Sequence, residues 1–152
     1  MTVFSYSFLD VVAAITGPGG AFSIGNGSGN AEEGISFAFA DDKDTMTMGA
    51  DGTGMHSLHA SNAGAVTVRV LKTSDTNKML SDLYAYQKTS SANWGQNTIT
   101  CNNVANGDAW TCQFGAFRKF PDVKYSKDGD VLEWAFNCTV MHGMLGNGQP
   151  AL

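Results

Sequence analysis

The chain is poor in charge. Asp, Glu, Lys and Arg supply only 15% of its 152 residues, well below the roughly one quarter found in an average globular domain. A small domain with so few charges has a surface suited to being covered, and self-association is one way to cover it. Positive charge is scarcest, at nine Lys and Arg against fourteen Asp and Glu. A basic footprint for gripping nucleic acid is therefore absent. Proline occurs three times and cysteine three times, as Cys101, Cys112 and Cys138. An odd cysteine count without a C-x-x-C pair argues against a disulfide framework and against a zinc site. Each of the three sits in an apolar, strand-like run, where a free thiol is expected to behave as a small hydrophobe. Long hydrophobic runs are also missing. Nothing approaches the ~18 apolar residues of a membrane span, so no membrane anchor is expected. The opening Met1-Thr2-Val3-Phe4-Ser5 lacks the basic and apolar regions of a secretory signal, which implies synthesis in a cytoplasm.

What is present is glycine, at 18 residues, within a sequence that is 43% hydrophobic. Glycine supplies turns and bulges, so many short strands are favoured over long helices. The length suits one domain spanning residues 1–152, large enough to bury a core without metals or disulfides. The net charge of −5 is unevenly placed. Residues 1–64 hold seven acids and one base, net −6, and residues 65–152 hold eight bases and seven acids, net +1. The acidic half must face solvent, a basic partner or a channel.

Alternation of apolar and polar residues marks the strands. Tyr6 to Thr16 reads as one, with Leu9, Val11, Ala13 and Ile15 on a common face, ending at the turn Gly17-Pro18-Gly19-Gly20. Ala21 to Ile24 returns, and residues 25–30 form a flexible glycine loop. Ile35, Phe37 and Phe39 predict a third strand, with Thr45 to Met48 extending its hairpin. Residues 49–63 show no sustained period and read as a long loop, a feature usually functional or disordered. Val66, Val68 and Val70 predict a strand. The one convincing helix covers residues 75–88, capped by Ser74 or Asp75, with Met79, Leu80, Leu83 and Tyr84 as its apolar stripe and Gln87 at its end. Lys78 and Asp82 make an exposed pair on it. Thr98 to Val104 and Ala109 to Phe120 flank the hairpin signal Asn106-Gly107. Val123 to Ser126 then leads through Asp128-Gly129 to a last strand, Val131 to Met141, with Leu132, Trp134, Phe136, Cys138 and Val140 on one face. The tail from Gly143 to Leu152 is glycine-rich and extended. The expected fold is mainly β, a β-sandwich or partly open β-barrel with one packed α-helix.

Motifs that suggest chemistry fail on their spacing. Gly25-x-Gly27-x-Gly29 has neither the dinucleotide spacing nor a following helix, so a surface loop is expected and no cofactor. His56 and His59 sit in a glycine-rich stretch without a third ligand nearby, which favours a buried or interface histidine pair over a metal site. Asp41, Asp42 and Asp44 lack the alternation, central glycine and closing glutamate of a calcium loop, and read as a solvated charge run or hairpin tip. No nucleophile elbow or H-E-x-x-H motif occurs. No catalytic, cofactor-binding or metal residue is predicted, and an enzyme is not expected. Trp94, Trp110 and Trp134 allow a competing reading as a sugar-stacking β-sandwich module, although the neighbours of Trp110 and Trp134 suggest core.

The chain resembles the tail tube proteins of contractile-tailed bacteriophages. The resemblance is carried by Tyr6-Ser7-Phe8-Leu9-Asp10-Val11, Gly17-Pro18-Gly19-Gly20 and Ala31-Glu32-Glu33-Gly34-Ile35. It continues through Asp42-Lys43-x-Thr45-Met46-Thr47-Met48-Gly49-Ala50-Asp51-Gly52 and Gly54-Met55-His56-Ser57-Leu58-His59-Ala60. Further on it is carried by Val66-Thr67-Val68-Arg69-Val70-Leu71-Lys72-Thr73-Ser74, Thr76-Asn77, Thr89-Ser90-Ser91-Ala92-Asn93, Gly95-Gln96-Asn97-Thr98-Ile99 and Phe117-x-Lys119-Phe120-Pro121. It spans nearly the whole chain. It implies a virion structural protein, assembled in the bacterial host cytoplasm and located in the tail. Its expected partners are further copies of itself in stacked hexameric rings, together with sheath and baseplate proteins. DNA would pass through the channel without specific binding. The family carries no catalytic residues to transfer. Residues 41–63 become the expected inter-subunit or inter-ring loop, with Asp51, Met55, His56, Leu58 and His59 as its candidate contacts. Glu32, Glu33, Asp41, Asp42 and Asp44 are the candidate acids of the channel wall, where negative charge would keep phosphates from binding.

Overall fold

In a computed structural model, the described residues are Val3, 5–25, Gly27 and 29–146, with the side chains of 30–33 left aside. The glycine loop at 25–30 therefore lies partly outside the described residues, as does the tail beyond Gly146, and Glu32 and Glu33 are placed only by their backbone. Nine strands and one helix follow in order: β1 Val11–Gly17, β2 Gly20–Ser23, β3 Asn30–Phe39, β4 Asp44–Met48, β5 Gly54–Leu58, β6 Gly64–Leu71, α1 Thr76–Gln87, β7 Asn97–Asn103, β8 Asp108–Lys119 and β9 Val131–Met144. Seven strands form one antiparallel sheet in the order β2-β1-β7-β8-β9-β6-β3, while β4 and β5 pair only with each other. Among the described residues no helix is long and apolar enough to cross a membrane.

Strict alternation explains most of the sheet. In β1, Val11, Ala13 and Ile15 point inward, and in β6 Gly64, Val66, Val68 and Val70 do the same. The β1–β2 turn needs its sequence: Pro18 presets one dihedral, and Gly19 takes a φ of +103° that L side chains resist. The sheet curls on itself. Phe37 of β3 stacks on Trp110 of β8 with ring centroids 5.2 Å apart, although two strands separate them in the sheet. Val11, Ile35 and Trp110 then line one small cavity of about 180 Å³. The result is the partly open barrel that the alternation predicts.

Helix α1 caps the core with Leu80 and Leu83, both buried beside Phe117, Trp134 and Phe136. The expected stripe is partly right: Leu80 and Leu83 are buried with Gln87 at its end, whereas Met79 is exposed and Thr76 is buried as well. Gln87 is accommodated by a reciprocal amide pair, Gln87 Nε2–H to Asn97 Oδ1 at 2.7 Å and Asn97 Nδ2–H to Gln87 Oε1 at 2.8 Å. A buried amide without such partners would be costly. At the helix start the Ser74 hydroxyl accepts from the Thr76 amide at 3.1 Å. Lys78 and Asp82 pair at 2.9 Å. Leu83→Ala is expected to cost ~2–5 kcal/mol in urea unfolding. A loss below ~1 kcal/mol would show that this helix face is not core.

Several sequence expectations are corrected. The first strand begins at Val11, after a 3-10 turn at Phe8–Asp10, and Leu9 is exposed. Thr45 to Met48 does not extend the β3 hairpin; it pairs with β5, which lies inside the segment read as a loop. Val123 to Ser126 is not a strand, and β9 pairs directly with β8. In β9 the inward face runs Trp134, Phe136 and Cys138, but then Met141 rather than Val140 is buried. Cys112 and Cys138 are not free thiols: they form a buried disulfide between β8 and β9, with Cα atoms 5.6 Å apart. Cysteines on adjacent strands reach the distance a disulfide requires, a closeness that chain spacing did not reveal. Cys101 stays free, and burial, aided by the Asp108 charge, raises its thiol pKa, which makes it less reactive.

Candidate assembly surfaces

Residues 41–63, expected as an irregular loop, form an ordered β-hairpin arm. Its strands pair Asp44 with Leu58, Met46 with His56 and Met48 with Gly54 on one face, and Thr45 with Ser57 and Thr47 with Met55 on the other. Every residue of both strands is exposed. Met46, Met48 and Met55 are exposed, and Leu58 most of all at 87%. Four large apolar side chains thus stand in water on an element that buries none of them against its own body. Isolated exposed apolar residues are ordinary, but contiguous ones mark interaction sites.

Polar contacts hold the arm's shape. Asp44 Oδ2 lies 2.9 Å from His56 Nδ1, and His59 Nε2 lies 2.8 Å from the Thr45 hydroxyl. The two histidines therefore face opposite sides of the hairpin. Both are exposed in the single chain, so of the expected buried or interface pair the buried alternative does not hold. Among the described residues no three His, Cys, Asp or Glu gather as for a metal ion. At the root, the Lys43 ammonium donates to the His59 carbonyl at 3.5 Å, the Ser61 carbonyl at 2.5 Å and Asn62 Oδ1 at 2.6 Å. At the tip, Asp51 accepts the Thr53 amide at 3.0 Å, and hydrogen bonding to Thr53 holds its carboxyl below the usual value.

The structure brings Asp51, Met55, His56, Leu58 and His59 together on the arm, with Met55 on the face opposite His56 and Leu58. Asp41 and Asp42 are exposed at the arm's root, and Asp44 opens its first strand. Glu32 and Glu33 lie in β3, far along the chain from the tip. Met46 and Met48 fall within the expected segment but were not among its candidate contacts; their alternation with Thr45 and Thr47 was the available signal.

The tryptophans offer no open platform. Trp134 is 1% exposed and donates its indole N–H to Asn77 Oδ1 at 3.1 Å. Trp110 is stacked on Phe37, and Trp94 packs edge-on against Tyr84.

Comparison with known proteins agrees with a tail structural component. A search of curated proteins brings no match. Among solved structures, the fold is similar to the sheath/tube terminator of the PVC extracellular contractile injection system in its extended state. The TM-score is 0.59 at 13% identity, over 95% of this chain and 99% of that one. It is similar also to a chain of the six-fold symmetrised anti-feeding prophage baseplate, at TM-score 0.59 and 12% identity over 95% and 97% of the two chains. A third likeness is to the tube-terminating cap of the anti-feeding prophage, at 0.55 and 10% identity over 96% and 95%. At these identities the likeness is one of fold. The family model of the bacteriophage PhiTE tail tube protein matches residues 3–146, nearly the whole chain, and the protein accordingly belongs to the bacteriophage PhiTE tail tube protein family.

Proposed function

We propose that the chain polymerises as stacked hexameric rings that form the tube of a contractile phage tail, the conduit through which DNA leaves the virion. The observation that carries this reading is the arm: an ordered hairpin that exposes Met46, Met48, Met55 and Leu58 and buries nothing in its own chain. Such an element gains its burial from another molecule. Among the described strands β2 and β3 are the outermost of the sheet, the positions where a sheet can extend by pairing with another chain. The family and the fold's likeness to tube, sheath and baseplate components of contractile systems support the same reading, with sheath and baseplate proteins as the further partners.

In this reading Asp41, Asp42 and Asp44 turn toward the channel. Fixed Lys or Arg repeated around every ring would release counterions from DNA and hold it. Acids avoid that brake, and screening confines their repulsion to about 8–10 Å at physiological salt.

Negative-stain micrographs of the purified, concentrated protein test the proposal. Six-membered rings that stack into tubes are expected. A monomer that stays monodisperse at high concentration would overturn it. Lysine at positions 41, 42 and 44 together is expected to slow DNA ejection from particles with normal tubes, and an unchanged rate would remove these acids from the channel wall.

A further inference from the structure

Phe114 is the one non-glycine residue, among those described, with a positive φ, at 53°. That region is disfavoured for L-residues and unusual for a bulky side chain. Its cause is a bulge: β8 carries one more residue than β7 between the pairs Asn97–Gly115 and Ile99–Cys112. Gln113 and Phe114 consequently both point outward. The bulge switches the strand's inward face from Cys112 to Gly115 and Phe117. The Thr139 hydroxyl secures it by donating to the Phe114 carbonyl at 3.1 Å. The core's need for the bulge does not explain the ring. Glycine would sit in that conformation without strain, whereas the phenyl group is 55% exposed and stacks on no other aromatic ring among those described.

The ring borders a groove of about 660 Å³ lined by small side chains, among them Ala60, Ala63, Ala116, Asn137 and Thr139. A cation stands at its rim, where Arg118 donates Nε–H to Asn137 Oδ1 at 3.1 Å. The chain's own arm strands do not fill the groove: residues 60–63, at the arm's root, form one edge of it, and both strands are exposed throughout.

The arm has the complementary chemistry. Apart from the root acids assigned to the channel wall, it carries a carboxylate at its tip, Asp51. It also presents three unbranched methionines, whose thioethers adapt to irregular gaps and contact aromatic rings favourably. An acidic, methionine-bearing finger matches an aromatic, small-walled groove with a guanidinium at its lip. We infer that Phe114 and the groove beside it receive the arm of a second copy of this chain. The inference rests on the proposed self-association and names the surfaces that make it. Where each arm enters the groove of a different neighbour the contact is head-to-tail and runs from copy to copy, as the proposed rings and tube require.

The test places the photo-reactive p-benzoylphenylalanine at position 114. Tubes are assembled from a mixture of 14N- and 15N-labelled full-length protein, irradiated, and mapped by mass spectrometry. Cross-links from 114 to residues 44–58 of the other isotopic copy are expected. Tubes whose cross-links fall only within one copy, or on other segments, would overturn this inference and leave the tube reading standing; failure of the unmodified chain to assemble at all would instead defeat the tube reading. A second arm uses Phe114→Gly. The unfolding midpoint is expected to hold or rise, because glycine is at ease at that φ, while tube yield falls at least about tenfold, equivalent to ~1.4 kcal/mol. Tubes at wild-type yield from this variant would sink the idea.

Discussion

Replacing residues 44–58 with a two-residue Asn-Gly turn is expected to leave a folded body that no longer makes tubes. The replacement is geometrically mild, because the His59 amide donates to the Lys43 carbonyl at 2.9 Å and a two-residue turn closes such a pair. It removes no buried side chain, since both arm strands are exposed. The thermal midpoint should therefore stay within about 4 °C of the parent, about the shift that 1 kcal/mol produces in a domain of this size. Assembly should collapse. Fully burying one Met or Leu contributes about 1.5–3 kcal/mol, so losing two such anchors removes roughly 3–6 kcal/mol, or about 10²–10⁴-fold in subunit affinity. Sedimentation velocity beside circular dichroism reads both quantities. Long tubes from the arm-less protein would show that rings stack by other surfaces.

Trp134→Ala is expected to have the largest effect on the monomer. The indole is 1% exposed and packs against Phe120 at 5.2 Å and Phe117 at 5.9 Å between ring centroids. Its N–H also ties β9 to the first turn of α1 through Asn77, whose Nδ2–H in turn donates to the Leu71 carbonyl at 2.8 Å. Truncating a buried Trp costs ~3–5 kcal/mol, and Asn77 would lose a partner as well. Against a typical total of about 5–15 kcal/mol, that leaves a domain near its threshold. Urea unfolding should show a matching fall in midpoint. A variant within ~1 kcal/mol of the parent would place Trp134 outside the core and restore the sugar-platform reading.

The body of the fold was legible because one face of each strand is buried. Burial fixes the alternation, and Val66, Val68 and Val70 carry it openly. The arm was not legible from residues 49–63 because water lies on both faces of β4 and β5. Nothing there selects hydrophobic against polar at alternate positions, so Met55-His56-Ser57-Leu58 has no period to read. The missing strand at Val123 to Ser126 has a different origin. Pro121 lacks the amide a ladder needs, and the β8–β9 register has already slipped between Phe117 and Lys119. The Asp128-Gly129 signal therefore belongs to a long connection rather than a hairpin. The disulfide and the outward Phe114 escaped for a related reason. The outward Phe114 follows from one extra residue in β8 against β7, which inverts the side chains beyond it without changing the composition, and the disulfide follows from the pairing of β8 with β9, which chain spacing does not show. At the site, the sequence located the arm's segment and its acids, but not its strand pairing or the groove that Phe114 borders.

The arm's independence from its body has a kinetic consequence. A two-stranded ribbon with no third strand or helix behind it is marginally stable in water, and Lys43 fastens only its base. In the proposed assembly a lone subunit brings a finger with nothing behind it, and the first encounters must hold it in place while little else is yet in contact. At the end of a growing polymer the receiving surface already exists, and each incoming finger orders against it. For the proposed tube, starting is then expected to be slow and lengthening fast. Spontaneous polymerisation should show a lag that preformed ends abolish, and free subunits can accumulate until a template provides the first end.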